Sequence, residues 1–68
     1  MNLNHMSKFI KLYIIDNDTI VVDYVNIDQI LKVYMNGTNV HVKLVNEEVL
    51  KLKDENLDVF MDRFYFSK

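Results

Sequence analysis

The chain contains no cysteine and no proline, and it has a single glycine among its 68 residues. Without cysteine there is no disulfide staple and no thiolate to act as nucleophile or metal ligand. His5 and His41 are the only histidines, too few for a zinc-type cluster. Absence of proline and near-absence of glycine suit regular elements joined by tight loops. No run of eighteen apolar residues is present, so no membrane-spanning helix is expected. No signal-peptide pattern precedes the apolar segments, and a reducing cytoplasm is the expected compartment. The net charge is −2 and the sequence pI about 5.5, with no basic run, which argues against a phosphate-binding surface.

The residues that carry chemistry are equally sparse. Ser7 and Ser67 are the only serines, so no nucleophile, base and orienting group can be assembled. Asp16 with Asp18 and Glu47 with Glu48 fall in expected loops, where acidic residues are ordinary turn formers. Asp16-Asn17-Asp18 is far shorter than a twelve-residue calcium loop. His41 lies on an expected outer strand face with no carboxylate placed to orient it. There is no glycine-rich phosphate loop. The chain is therefore read as non-enzymatic, with no catalytic, cofactor-binding or metal-binding residues.

What remains is a pattern rich in apolar residues. Half of the residues are hydrophobic, which points to an ordered chain. A single small domain is expected over 8–68, with 1–7 a flexible N-terminus or a cloning remnant after "MNLNHMS". A domain of this size buries only about 60% of its unfolded surface, so its stability is expected to come from packing, with a partner chain as a further candidate source. Eight asparagines, six isoleucines and seven lysines hint at an AT-rich genome.

Alternation from Lys8 to Ile15 and from Thr19 to Val25 reads as a hairpin. A three-residue loop at Asp16-Asn17-Asp18 would set Ile14 against Ile20, Leu12 against Val22 and Ile10 against Tyr24. Asn26 can cap a single helical turn carrying Ile27 and Ile30 on one side. Asn36-Gly37, between "VYM" and "TNVHV", reads as a two-residue type I′ turn with Val33 facing Val40 and Leu31 facing Val42. A loop at Asn46-Glu47-Glu48 then places Leu44 opposite Leu50 and Val42 opposite Leu52. The C-terminal segment is helical, capped by Asp54, with Leu57, Phe60, Met61 and Phe64 on one face. The expected fold is α+β, mainly β: a five-stranded antiparallel, strongly twisted meander or partial barrel with one C-terminal helix.

One helix can cover one face of such a sheet. The expected core face is Ile10, Leu12, Ile14, Ile20, Val22, Leu31, Val33, Val40, Val42, Leu44, Leu50 and Leu52. The other face carries Phe9, Tyr13, Ile15, Val21, Val25, Tyr34, Val45 and Val49, and an exposed apolar face of this extent marks an interface. The candidate interface residues are Phe9, Tyr13, Ile15, Val21, Tyr34, Val45 and Val49. The expected partner is a second copy of the chain, giving a homodimer, or another protein. No membrane is expected. The alternative partner is single-stranded nucleic acid, bound weakly by the same face through Phe9, Tyr13 and Tyr34 with Lys11, Lys32, Lys43 and Lys51.

The order of "VNIDQI" between two hairpins, followed by "VHVKLVNEEVLKLKDENLDVFMDRF", resembles the small FlbD proteins of bacterial flagellar operons and similar short phage or prophage proteins. In these a first hairpin, an Asn-apolar-acidic-x-Ile turn, a second hairpin and a short helix follow one another. Asn26, Ile27, Asp28 and Ile30 match the turn, and the likeness covers residues 9–64. The resemblance implies a small β-rich adaptor, regulatory or phage-derived, without catalytic residues.

Overall fold

The computed structural model describes residues 8–67. The expectations for 1–7 lie outside the described residues. Five antiparallel strands and one helix follow the expected order: β1 Phe9–Asp16, β2 Thr19–Asn26, a 3-10 turn Ile27–Gln29, β3 Ile30–Asn36, β4 Asn39–Leu44, β5 Val49–Lys51 and α1 Leu57–Ser67. The strands form two sheets rather than one meander: β1 with β2, and β3-β4-β5 in that order. No barrel closes, because no ladder joins β2 to β3 among the described residues. The 3-10 turn separates them, and a register shift between Ile30 and Lys32 bends the start of β3.

Leu52 ties the sheets together. It bridges to Ile14 of β1, and its N–H donates to the Val40 carbonyl of β4 at 2.9 Å. The next residue, Lys53, donates its N–H to the Tyr13 carbonyl at 2.8 Å. The core between the two sheets comprises Ile10, Leu12, Ile14, Val25, Ile27, Val40, Val42, Leu44, Leu52 and Phe60.

The first hairpin departs from the expected pairing. Asn17 and Asp18 both take positive φ, 49° and 65°, as a two-residue type I′ turn requires. Asp16 then pairs with Thr19, Ile14 with Val21, Leu12 with Asp23 and Ile10 with Val25. Shortening the loop by one residue slips the register by one and reverses the faces of β2. Ile20 and Val22, expected in the core, are exposed, and Val25 is buried in their place. In "TIVVDYV" one face is Ile20, Val22 and Tyr24 and the other sets Thr19 and Asp23 beside Val21 and Val25, so alternation alone favours the register that the tight turn overrides.

The later turns also moved, but without changing faces. Gly37 alone takes positive φ, 65°, so the loop is Gly37-Thr38, with the type II′ pattern, and not Asn36-Gly37. Val33 therefore meets Val42 and Met35 meets Val40. Leu31, expected opposite Val42, falls at the register shift and is exposed, while Ile30 pairs with Leu44. In the next hairpin the Leu44 N–H donates to Glu48 O and the Glu47 N–H to Leu44 O, each at 2.8 Å. The loop is thus Val45-Asn46-Glu47, with Glu47 left-handed at φ 73°, and Val42 meets Leu50 rather than Leu52. Both are slips of two residues in pairing, which preserve the side each residue faces.

Gly37 has open space around the position a Cβ would occupy, so only its backbone conformation demands glycine. Gly37→Ala is expected to destabilise the fold by about 1–2 kcal/mol, the cost of a left-handed L-residue. Urea unfolding followed by circular dichroism measures this, and an unchanged midpoint would show that the turn relaxes freely.

The 3-10 turn is built as the sequence suggests. Asn26 is its cap, its side-chain oxygen accepting from the Asp28 N–H at 2.8 Å, and Ile27 is buried beneath. The helix is capped by Asn56 rather than Asp54: the Asn56 side chain accepts from the N–H groups of Asp58 and Val59 at 3.0 and 3.2 Å. Asp54 instead sits at φ 47° in the turn before it. Phe60 is fully buried, Leu57 and Phe64 are packed beside the core, and Met61, expected on the same face, is exposed.

Candidate interaction surface

The edges of a sheet present unpaired N–H and C=O groups, which another chain can use. Here β1 has its second edge occupied. Its Tyr13 carbonyl accepts from Lys53, and its Lys11 carbonyl accepts from the Arg63 guanidinium at 3.0 Å. Arg63 is held for this by Glu55 at 3.6 Å and by lying 5.6 Å from the Phe60 ring centroid. The helix thus covers the edge of β1 and leaves that of β2 alone.

β2 is consequently open in three directions. A two-residue loop makes Asp16–Thr19 a hydrogen-bonded pair, so Thr19, Val21, Asp23 and Val25 turn their backbone groups to β1. Those of Ile20, Val22 and Tyr24 turn outward. The Tyr24 N–H makes no ladder bond to β1 but donates to the Asp23 side chain at 2.9 Å. On one side of the strand Ile20, Val22 and Tyr24 are 43%, 50% and 61% exposed, and on the other Val21 is 39% exposed. Only Val25, of this eight-residue strand, enters the core.

The residues expected to form the interface divide into three groups. Phe9, Tyr13 and Ile15 share the outer face of the first hairpin with Ile20, Val22 and Tyr24. Val21 lies on the opposite face of that hairpin. With Val49 and Ile15 it lines an open cleft of about 320 Å³ between the first hairpin and the start of β5, floored by Ile14 and Leu50. Tyr34 is half-buried on the outer face of the second sheet, and Val45 is exposed in the β4–β5 loop. The structure brings together the β1 members of the set and sets beside them Ile20 and Val22, which sequence reasoning assigned to the core, and Tyr24, which it set against Ile10. The signal for those three was the pair Asn17-Asp18, both of which tolerate the left-handed region and so permit a two-residue turn.

The outer face of the first hairpin is largely apolar but carries one cation. The Lys11 ammonium lies 5.3 Å from the Tyr13 ring centroid. Its pKa is raised, chiefly by its hydrogen bond with the Tyr13 side chain and then by the charges Tyr13 and Tyr24 acquire at high pH. The outer face of the second sheet is different: Tyr34 pairs across to His41 and His41 to Lys51, while Lys32 pairs to Lys43 and Lys43 to Val49. The Tyr34 and His41 rings meet edge to face at 5.6 Å.

Among the described residues no group of three or more His, Asp or Glu side chains converges on a common point that could hold a metal ion. No helix among them is long and apolar enough to cross a membrane. The fold and surface define a small antiparallel β domain closed by a C-terminal helix. No family model, curated protein or solved structure matches the chain.

Proposed function

We propose that this chain is a small non-enzymatic protein that acts through protein–protein contact, and that it associates with a second copy of itself along β2. The observation that carries the reading is the exposure of β2 on both faces and along its whole outer edge. Long, flat, apolar edges are ordinarily blunted by lysine, proline or a bulge. β2 has no lysine, proline or bulge over its eight residues and pairs regularly with β1 throughout; its one charge is Asp23, on the face shared with Leu12. The other open edge, β3, carries both Lys32 and a register shift.

The strand is also complementary to itself. Antiparallel pairing about a two-fold axis at Val22 sets Val22 against its own copy and Ile20 against Tyr24 of the partner subunit. The outward N–H and carbonyl groups of Ile20 and Val22 and the Tyr24 carbonyl then close about four hydrogen bonds, and two more form where the Tyr24 N–H leaves the Asp23 side chain. Aliphatic–aromatic cross-strand pairs of this kind are favourable, whereas a two-fold axis at Asp23 would oppose like charges. Isologous contacts of this type produce closed dimers. The hairpin, turn, hairpin and helix order shared with the FlbD-like proteins suits an adaptor, regulatory or phage-derived, whose working surface is such an edge or face.

Light scattering on a concentration series tests the reading. The expected mass rises from monomer to dimer across the micromolar range and holds when salt is raised, since the contact is apolar and backbone-mediated. A chain that remains monomeric at high micromolar concentration refutes self-association.

A further inference from the structure

We propose that the outer face of the β3-β4-β5 sheet is a second binding surface, separate from β2, that takes single-stranded nucleic acid. The first observation is the partition of charge. The three strands hold three of the chain's eight cations, Lys32, Lys43 and Lys51, and none of its ten carboxylates. The acidic residues lie at the end of β1, on β2, in the hairpin loops, in the 3-10 turn and in and before the helix; Asp16, Asp23 and Glu48 line the cleft that Lys51 also lines, so the cationic face is centred on Lys32 and Lys43. An overall charge of −2 therefore hides a locally cationic face.

The second observation is how the register spends that charge. Lys32 and Lys43 are directly opposite on neighbouring strands, an arrangement that is unfavourable by itself. The ion pairs of the described residues are Lys53 with Asp54 and Arg63 with Glu55, so no carboxylate neutralises either lysine. An anionic ligand laid across the strands would relieve this repulsion. The third observation favours a nucleic acid over an acidic polypeptide. The Lys32 ammonium lies over the Tyr34 ring, 5.0 Å from its centroid, and the His41 ring meets it edge to face, so a base stacking on the Lys32 side would displace the ammonium toward a phosphate. The His41 Nδ1 is enclosed and has no hydrogen-bond partner among the described residues. Aromatic rings set among cations on an open sheet face are what bases stack on while the lysines follow the phosphates.

The surface needs no residue of β2, so a dimer joined there would present two copies of it. The test is fluorescence anisotropy of a labelled oligothymidylate of about twelve nucleotides, within the span usual for small sheet-based binders. Three phosphate contacts give an affinity that falls roughly twentyfold between about 50 and 200 mM salt. The double variant Lys32→Glu/Lys43→Glu is expected to abolish binding, and Lys53→Gln, beyond β5 and paired with Asp54, to leave it within about twofold. Tyr34→Leu is expected to weaken it by about tenfold through lost stacking. Circular dichroism of each variant separates lost binding from lost folding, and the wild-type salt dependence stands without any variant. Absence of saturable binding by the wild type at low salt would overturn the proposal. So would equal competition by oligoglutamate together with indifference to Tyr34→Leu, which would mark an acidic polypeptide as the partner. Neither result bears on association through β2, which light scattering reads separately.

Discussion

Phe60→Ala is expected to unfold most of the protein at room temperature. Among the described residues Phe60 is the one helical residue wholly removed from solvent, and it packs in the core between the two sheets, near the bonds from Leu52 and Lys53 that join them. Removing a buried phenylalanine side chain costs about 3–5 kcal/mol, the lost transfer term plus the cavity left behind. A domain of this length has a total stability of roughly 3–10 kcal/mol. No disulfide holds the remainder together. Loss of Phe60 also releases Arg63, whose guanidinium packs by that ring and closes the Lys11 carbonyl, so the cover over the β1 edge goes with it. Far-ultraviolet circular dichroism with urea titration, at matched protein concentration, measures the effect. A loss smaller than about 1 kcal/mol would mean that the helix is an appendage and not the closing element of the core.

The second large effect is expected at the edge of β2. Val22→Pro removes an N–H that points away from β1, so the internal ladder is left complete while the central pair of the dimer is lost. Two backbone hydrogen bonds disappear at the symmetry axis and two proline rings collide there. A rise in the dimer dissociation constant of at least about a hundredfold is expected, since the loss of two bonds alone accounts for roughly 1–3 kcal/mol. Asp23→Ala is expected to act in the opposite direction. It frees the Tyr24 N–H that the Asp23 side chain now occupies and removes a charge from the strand. Sedimentation velocity of the three proteins at equal concentration orders them. If Val22→Pro dimerises as the wild type does, the contact lies elsewhere, and the outer face around Tyr13 becomes the surface to substitute.

Much of this architecture was legible in the residues. The number and order of strands, the turn capped by Asn26, the C-terminal helix and the burial of Phe60 follow from local rules, each acting over a few positions. So does the composition of the second sheet's inner face. Moving the Gly37 turn by one residue shifts the pairing by two and leaves Val33, Val40 and Val42 on their expected side. The outer face of the first hairpin was legible only for β1. Phe9, Tyr13 and Ile15 belong to a strand whose other face is unambiguous, because Ile10, Leu12 and Ile14 are wholly apolar and opposite Lys11.

The sequence by itself determined that this is a β-rich chain with one closing helix and more apolar surface than that helix can cover. Period-two alternation and capping chemistry suffice for that. Only the tertiary structure decided which apolar surface is left over. Alternation in β2 favours Ile20, Val22 and Tyr24 over Thr19, Val21, Asp23 and Val25 as the inward set, yet the observed register turns the second set inward, so the choice fell to a type I′ turn at Asn17-Asp18 and to contacts remote in sequence. The bridge from Leu52 to Ile14 and the reach of Arg63 to Lys11 occupy one edge of the first hairpin and leave the other open.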